Sequence, residues 1–254
     1  MDLRGKTALV TGGAHRIGGA ITLGLARAGA NVVINYYRSS EEAEELALKA
    51  AVFGVQALPV QADVSDYTQA EKMINTASEQ FGGVDILVNS ASQFVKTPFP
   101  VADIHQWEKV IQVQLFGAFY CTNLVVPYMI KKQEGVILNI VDISAWQPWK
   151  NFSAHSVGKS ALLAFTRQLA LDLAPHIRVN AVAPGPVLPP ENLSAEGVLR
   201  TARQTLLERW GDPEDVIEAV LFLLHSNYIT GETIVVDGGQ RLAQCKQSST
   251  ETGP

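Results

Sequence analysis

Cysteine is scarce in this chain of 254 residues, which holds only Cys121 and Cys245. The two stand far apart, outside any CxxC or metal-ligand spacing, so neither a disulfide framework nor a cysteine-built metal site is expected. Such usage fits a reducing compartment. Charge is sparse too, at 18% of residues with a net of -5, which argues against a broad footprint for nucleic acid or an anionic membrane. No apolar stretch reaches the roughly 18 residues of a membrane span. The start, Met1 to Lys6, enters the first apolar run without a hydrophobic signal region. Internal repeats are lacking. These absences lead to the expectation of a cytoplasmic protein whose partners are small molecules or its own copies, with no nucleic acid, membrane or metal.

What is present is an alternation of apolar runs and longer helical patterns, the signature of βαβ units and a parallel sheet covered on both faces. Seven strands are predicted: Thr7 to Val10, Asn31 to Tyr36, Gln56 to Val60, Val84 to Val88, Val136 to Val141, Ile177 to Val182 and Thr233 to Val236. After the glycine turn, Ala20 to Ala26 is amphipathic. Helices are predicted over Glu41 to Phe53, Tyr67 to Phe81, Asp103 to Lys131, Ser153 to Leu173, Leu199 to Arg209 and Pro213 to His225, with Ser40, Ser65 and Asp212 as caps. The fold class is therefore α/β, doubly wound. One dinucleotide-binding domain is expected over 1–243, with a disordered tail over 244–254. The proline-rich passage Pro184 to Pro190 and the polar residues Glu191 to Glu196 read as a mobile loop, either a lid or a solvated connection.

In such a sheet ligands bind beyond the carboxyl ends of the strands. After the first strand comes Thr11-Gly12-Gly13-Ala14-His15-Arg16-Ile17-Gly18, a glycine turn that presents helix N–H groups to a pyrophosphate or serves as a plain tight connection. After the second, the acid that NAD-binding proteins use for the ribose is missing, and Tyr37, Arg38, Ser39 and Ser40 stand there instead. A guanidinium with hydroxyls suits the 2′-phosphate of NADP(H); the alternative is a surface cation beside Glu41 and Glu42. After the third, Asp63 can accept from an adenine amino group, and after the fourth, Asn89 with Ala91 can line the floor under the adenosine ribose. Either can also be a strand-end cap.

These segments, with Asp63-Val64, Asn89-Ser90-Ala91-Ser92, Asn139 to Asp142, Lys159, Arg178-Val179-Asn180, Pro184-Gly185 and Val236-Asp237-Gly238-Gly239, resemble the short-chain dehydrogenase/reductase family over residues 5 to 242. The resemblance implies a Rossmann-type fold, hydride transfer between a nicotinamide and a carbonyl, alcohol or imine, and assembly as a dimer or tetramer, with homotetramer favoured. It is nearest to the pteridine reductase-like branch, in Arg16 at a usual glycine position, in Tyr36 to Ser39, and in Asp142 where most relatives keep a catalytic serine. Cofactor binding is thereby assigned to Gly12, His15, Arg16, Ile17, Gly18, Tyr37, Arg38, Ser39, Asp63, Val64, Asn89, Ala91, Ser92, Lys159, Pro184 and Gly185.

The family's catalytic tyrosine and lysine lie four apart on one helix face, and here that pair is His155 and Lys159. Asp142, thirteen residues before His155, supports the register, and Tyr120 and Tyr128 belong to another helix. Catalysis is expected at Asp142, His155 and Lys159. Lysine brings a tyrosine down from about 10, whereas histidine titrates near 6.5 in isolation, so the proton donor is expected to differ. Gln114 stands where relatives offer an asparagine. Phe94, Trp146, Trp149 and Phe152 can stack on a flat ring or belong to the core, with Arg16, Phe94 and Trp146 as candidate substrate contacts. The expected activity is NADPH-dependent reduction of a C=N or C=O bond in a pterin-like or other cyclic substrate. A general carbonyl or ketoacyl reductase, or a catalytically impaired NADP(H)-binding sensor or subunit, is the alternative.

Overall fold

Apolar, largely β-branched runs give seven strands in the computed structural model, which describes residues 1–190 and 193–247. They are β1 (Thr7–Thr11), β2 (Asn31–Tyr36), β3 (Ala57–Gln61), β4 (Ile86–Asn89), β5 (Gly135–Ile140), β6 (Ile177–Pro184) and β7 (Thr233–Val236). All pair in parallel in the order β3-β2-β1-β4-β5-β6-β7. Successive side chains point to opposite faces, and both faces are buried. Ala8, Val10, Ile86, Val88, Val136 and Leu138 enter one core, while Leu9, Leu87 and Ile137 enter the other. This accounts for unbroken apolar runs in place of an alternating pattern.

The connections are α1 (Arg16–Arg27), α2 (Ser40–Ala51), α3 (Tyr67–Phe81), α4 (Ile104–Ile111), α5 (Gly117–Lys132), α6 (Ser153–Leu173), α7 (Ala195–Arg203), α8 (Pro213–His225) and α9 (Gln240–Gln247). Asp212 caps α8 in a reciprocal capping box with Asp215, as expected. Two other predicted caps are corrected. Asp66, accepting from Gln69 N, caps α3, because Ser65 is engaged with Asp63, and Ser40 lies inside α2 behind Ser39. The helix predicted from Leu199 starts earlier, since Ser194 Oγ accepts from Gly197 N and opens α7. Ser194 to Glu196 therefore belong to a helix start, whereas positions 191 and 192 lie outside the described residues. The expected tail at 244–254 is corrected at its beginning, because α9 continues to Gln247; 248–254 lie outside the described residues.

The helix predicted from Asp103 to Lys131 is three segments, α4 and α5 joined by a π-helical turn at Gln112–Phe116. Together Ile104–Lys132 form 29 residues long and apolar enough, by length and composition, to cross a membrane, contrary to the expectation of no such stretch. Val110, Val113, Cys121, Val125 and Met129 are buried in the protein interior, a position that accounts for this apolar character. Strand order reverses between β1 and β4, and a cleft opens at that switch point, as the geometry of doubly wound sheets dictates.

Candidate active site

The cleft encloses about 950 Å³ above the carboxyl ends of the strands. Its floor is the glycine turn. Gly12 N donates to Asn35 Oδ1 at 3.1 Å and Gly13 N to Asn35 O at 2.9 Å, which anchors the turn to β2. Gly12 has φ +61°, and a Cβ there would stand 3.0 Å from Ala91 Cα; a Cβ on Gly18 would collide with the Gly12 carbonyl. The missing side chains let the turn pack closely on itself and on the segment after β4. His15 at the N-cap of α1 makes no side-chain cap, so the first-turn N–H groups remain for an anion. Arg16 adopts φ +52°, a left-handed conformation that favours glycine, and its guanidinium donates to Leu188 O at 3.2 Å across the mouth. Thr11 Oγ1 accepts from Ser90 N and Ala91 N at 3.0 and 3.1 Å, shaping the turn after β4.

At one end stand Tyr37, Arg38, Ser39, Asp63 and Val64. The Arg38 guanidinium lies 5.0 Å from the Tyr37 ring centre, and among the described residues it pairs with no carboxylate, Glu41 and Glu42 included. Asp63 is held by Lys109 Nζ at 2.8 Å and Ser65 Oγ at 2.6 Å. Burial raises its carboxyl, but these bonds and the Lys109 charge outweigh burial and hold it below the ordinary range. Asn35 and Lys109 were not singled out by sequence; an asparagine within the apolar run of β2 is the one signal for the former, and Lys109 gives none.

At the other end α6 brings His155 and Lys159 against Asp142 from the loop after β5. His155 Nε2 lies 2.5 Å from Asp142 Oδ2, and its Nδ1 lies 2.8 Å from Gln114 Nε2. Asp142 Oδ1 accepts from Ser144 N at 2.8 Å and from the Ser144 hydroxyl. Burial raises the Asp142 carboxyl, yet the His155 bond and the Lys159 charge bring it net below the usual value. Burial pulls the Lys159 ammonium down, with Asp142 opposing; Nζ donates to Ile140 O at 2.7 Å. The Trp149 ring stacks over His155 at 5.8 Å and Phe94 meets it edge-on at 5.0 Å. Thr97 sets the start of α6: its Oγ1 accepts from Ala154 N at 3.0 Å, and Ser153 Oγ donates to its carbonyl at 2.6 Å.

Gly12, His15, Ile17, Gly18, Ala91, Ser92, Phe94, Pro184 and Gly185 line the cleft with the groups above. Two predicted contacts do not. Asn89 spends its amide on Asn139 Oδ1 at 2.9 Å and Thr122 Oγ1 at 3.3 Å beneath the strand ends. Trp146 turns away under the Arg241 guanidinium, 6.0 Å from its ring centre, beside a Gln147 bond to Arg241 O.

The family model described as enoyl-(acyl carrier protein) reductase matches residues 12–241. The chain belongs to the short-chain dehydrogenase/reductase family. It is 37% identical over 249 residues to 3beta-hydroxysteroid dehydrogenase 1 of Eggerthella lenta, covering 95% of each chain. It is 36% identical over 243 residues to 3-oxoacyl-(acyl-carrier-protein) reductase of Synechocystis, covering 93% of this chain and 97% of that protein. Among solved structures, FolM alternative dihydrofolate reductase 1 from Brucella suis, in complex with NADP, superposes with TM-score 0.89 at 35% identity over 95% of this chain and 97% of that one. By family, this short-chain dehydrogenase/reductase is an oxidoreductase.

Proposed function

We propose that the chain is an NADP(H)-dependent reductase acting on a C=N or C=O bond of a flat, pterin-like ring. The observation that carries this reading is a cleft with, at one end, a guanidinium that pairs with no carboxylate among the described residues and, at the other, a carboxylate and histidine walled by aromatic rings. When bound, the nicotinamide supplies a hydride to the substrate carbon while the heteroatom takes a proton. The first turn of α1 and the bare glycines receive the pyrophosphate. Arg38, with Tyr37 and Ser39, holds the 2′-phosphate. Asp63 accepts from the adenine, and the Lys159 hydrogens not given to Ile140 hold ribose hydroxyls.

Asp142 is the group that touches substrate. Its side chain is 15% exposed against 3% for His155, so the ring stands behind the carboxylate and acts through it. His155 donates through Nε2 to Asp142 Oδ2 and holds the carboxylate toward the cleft, where it accepts from a ring N–H of the substrate, while the proton taken by the heteroatom is drawn from solvent through the open cleft. Phe94 and Trp149 flank the ring to be reduced. Similarity to the Brucella suis protein, with Arg16 and Asp142 in place, supports the pteridine reductase-like branch.

Mixing the protein with NADPH and dihydropterin, dihydrofolate, quinone, simple ketone or acyl thioester substrates from about pH 5 to about pH 8 tests this. Oxidation of NADPH with the cyclic substrates is expected. Similarity to the Synechocystis protein favours a ketoacyl reductase as the second reading, which turnover of thioesters without pterins would establish. No cofactor oxidation anywhere would leave a binding protein.

A further inference from the structure

Gln114 sits in the π-helical turn between α4 and α5 and is buried. Its Nε2 lies 2.8 Å from His155 Nδ1, 3.1 Å from Gln93 O and 3.1 Å from Ser92 Oγ, while its Oε1 has no hydrogen-bond partner among the described residues. A backbone carbonyl can only accept, so the Gln114 atom beside Gln93 O must be the NH2 group, which fixes the orientation of the amide. An NH2 group has no acceptor, so Nδ1 of His155 must present its lone pair. The ring proton then belongs on Nε2, where it meets the Asp142 carboxylate.

We infer that Gln114 is a positioning residue for the reaction, its amide keeping the His155 proton on Nε2 and therefore on the side of Asp142. The opposite tautomer would set two acceptors, Nε2 and Oδ2, 2.5 Å apart. The residue below the amide completes the arrangement, since a Cβ on Gly158 would collide with Gln114 Oε1. Gly158, one turn along α6 from His155, makes room for the longer amide. Which imidazole nitrogen carries the proton is set by the bond the other nitrogen makes, and here that bond comes from Gln114. The consequence for turnover rests on the reductase reading; the placement of the proton does not.

The test is the nitrogen spectrum of full-length protein labelled with 15N-histidine at neutral pH. His155 is picked out from the 5 histidines by the signals lost in His155→Gln. The wild-type ring is expected to show a protonated, pyrrole-type Nε2 and an unprotonated, pyridine-type Nδ1. Gln114→Glu replaces the donor by an acceptor and is expected to shift Nδ1 to the protonated type. Gly158→Ala, which displaces the amide without touching the ring, is expected to lose the single wild-type pattern. In turnover, Gln114→Met is expected to lower kcat by about 10–100-fold with KM for NADPH unchanged. A protonated Nδ1 in the wild type overturns the assignment, as does a pattern unchanged in both Gln114→Glu and Gly158→Ala. The spectrum is read without turnover, so failure of the reductase reading and failure of this assignment are distinguishable.

Discussion

Arg38 is the residue by which the proposed site would prefer one dinucleotide over the other. Its guanidinium rests by the Tyr37 ring and pairs with no carboxylate among the described residues, so its hydrogens remain for a phosphate dianion. A charge-assisted hydrogen bond of this kind contributes about 1.5–3 kcal/mol. Arg38→Leu should therefore weaken NADPH about 10–100-fold while leaving NADH unchanged, as read by quenching of intrinsic fluorescence; equal loss for both cofactors would contradict the role. The positions of Arg38, Asp142 and His155 in the cleft were legible in the sequence because each follows a strand end or a register that the fold dictates. Asn89 and Trp146 were misassigned for a different reason: their place in the chain was right, but side-chain direction depends on tertiary partners, Asn139 and Arg241, that spacing does not encode. Lys109 was missed because its partner Asp63 is 46 residues away.

The element on which the proposed chemistry depends is α6, since it carries both His155 and Lys159 on one face. Its first turn is pinned by Thr97, which is buried and whose hydroxyl accepts from Ala154 N. Thr97→Val keeps the volume but leaves a buried N–H without an acceptor, a loss of about 1–3 kcal/mol. Chemical denaturation should report that fall, along with reduced turnover as the start of α6 loosens; unchanged stability would show that the Thr97 hydroxyl does not hold the helix. Helix existence was readable from apolar periodicity, yet the π turn at Gln112–Phe116 was not. One extra residue in a turn barely disturbs the pattern of Val110, Val113, Cys121 and Val125. π turns often mark functional positions, and this one delivers Gln114 to the His155 ring.

On the scale of the molecule, seven parallel strands and their reversal between β1 and β4 create the cleft, and the residues that line it come from nearly every strand end. That arrangement was legible because buried parallel strands leave continuous apolar runs and the chain must turn at their ends. The state of the proposed catalytic centre was not, since it depends on distances: His155 is enclosed, with both ring nitrogens engaged by Asp142 and Gln114. The centre is therefore built for imidazole. A phenol at position 155 has one oxygen and cannot reach both partners from opposite edges of the ring. The most direct measurement is the rate of NADPH oxidation by the His155→Tyr variant beside the wild type, on whichever cyclic substrate the wild type reduces. The account predicts active wild-type protein and a kcat lowered roughly 100-fold in the variant; a variant faster than the wild type would mean that His155 is a lesion in a tyrosine site, and would contradict it.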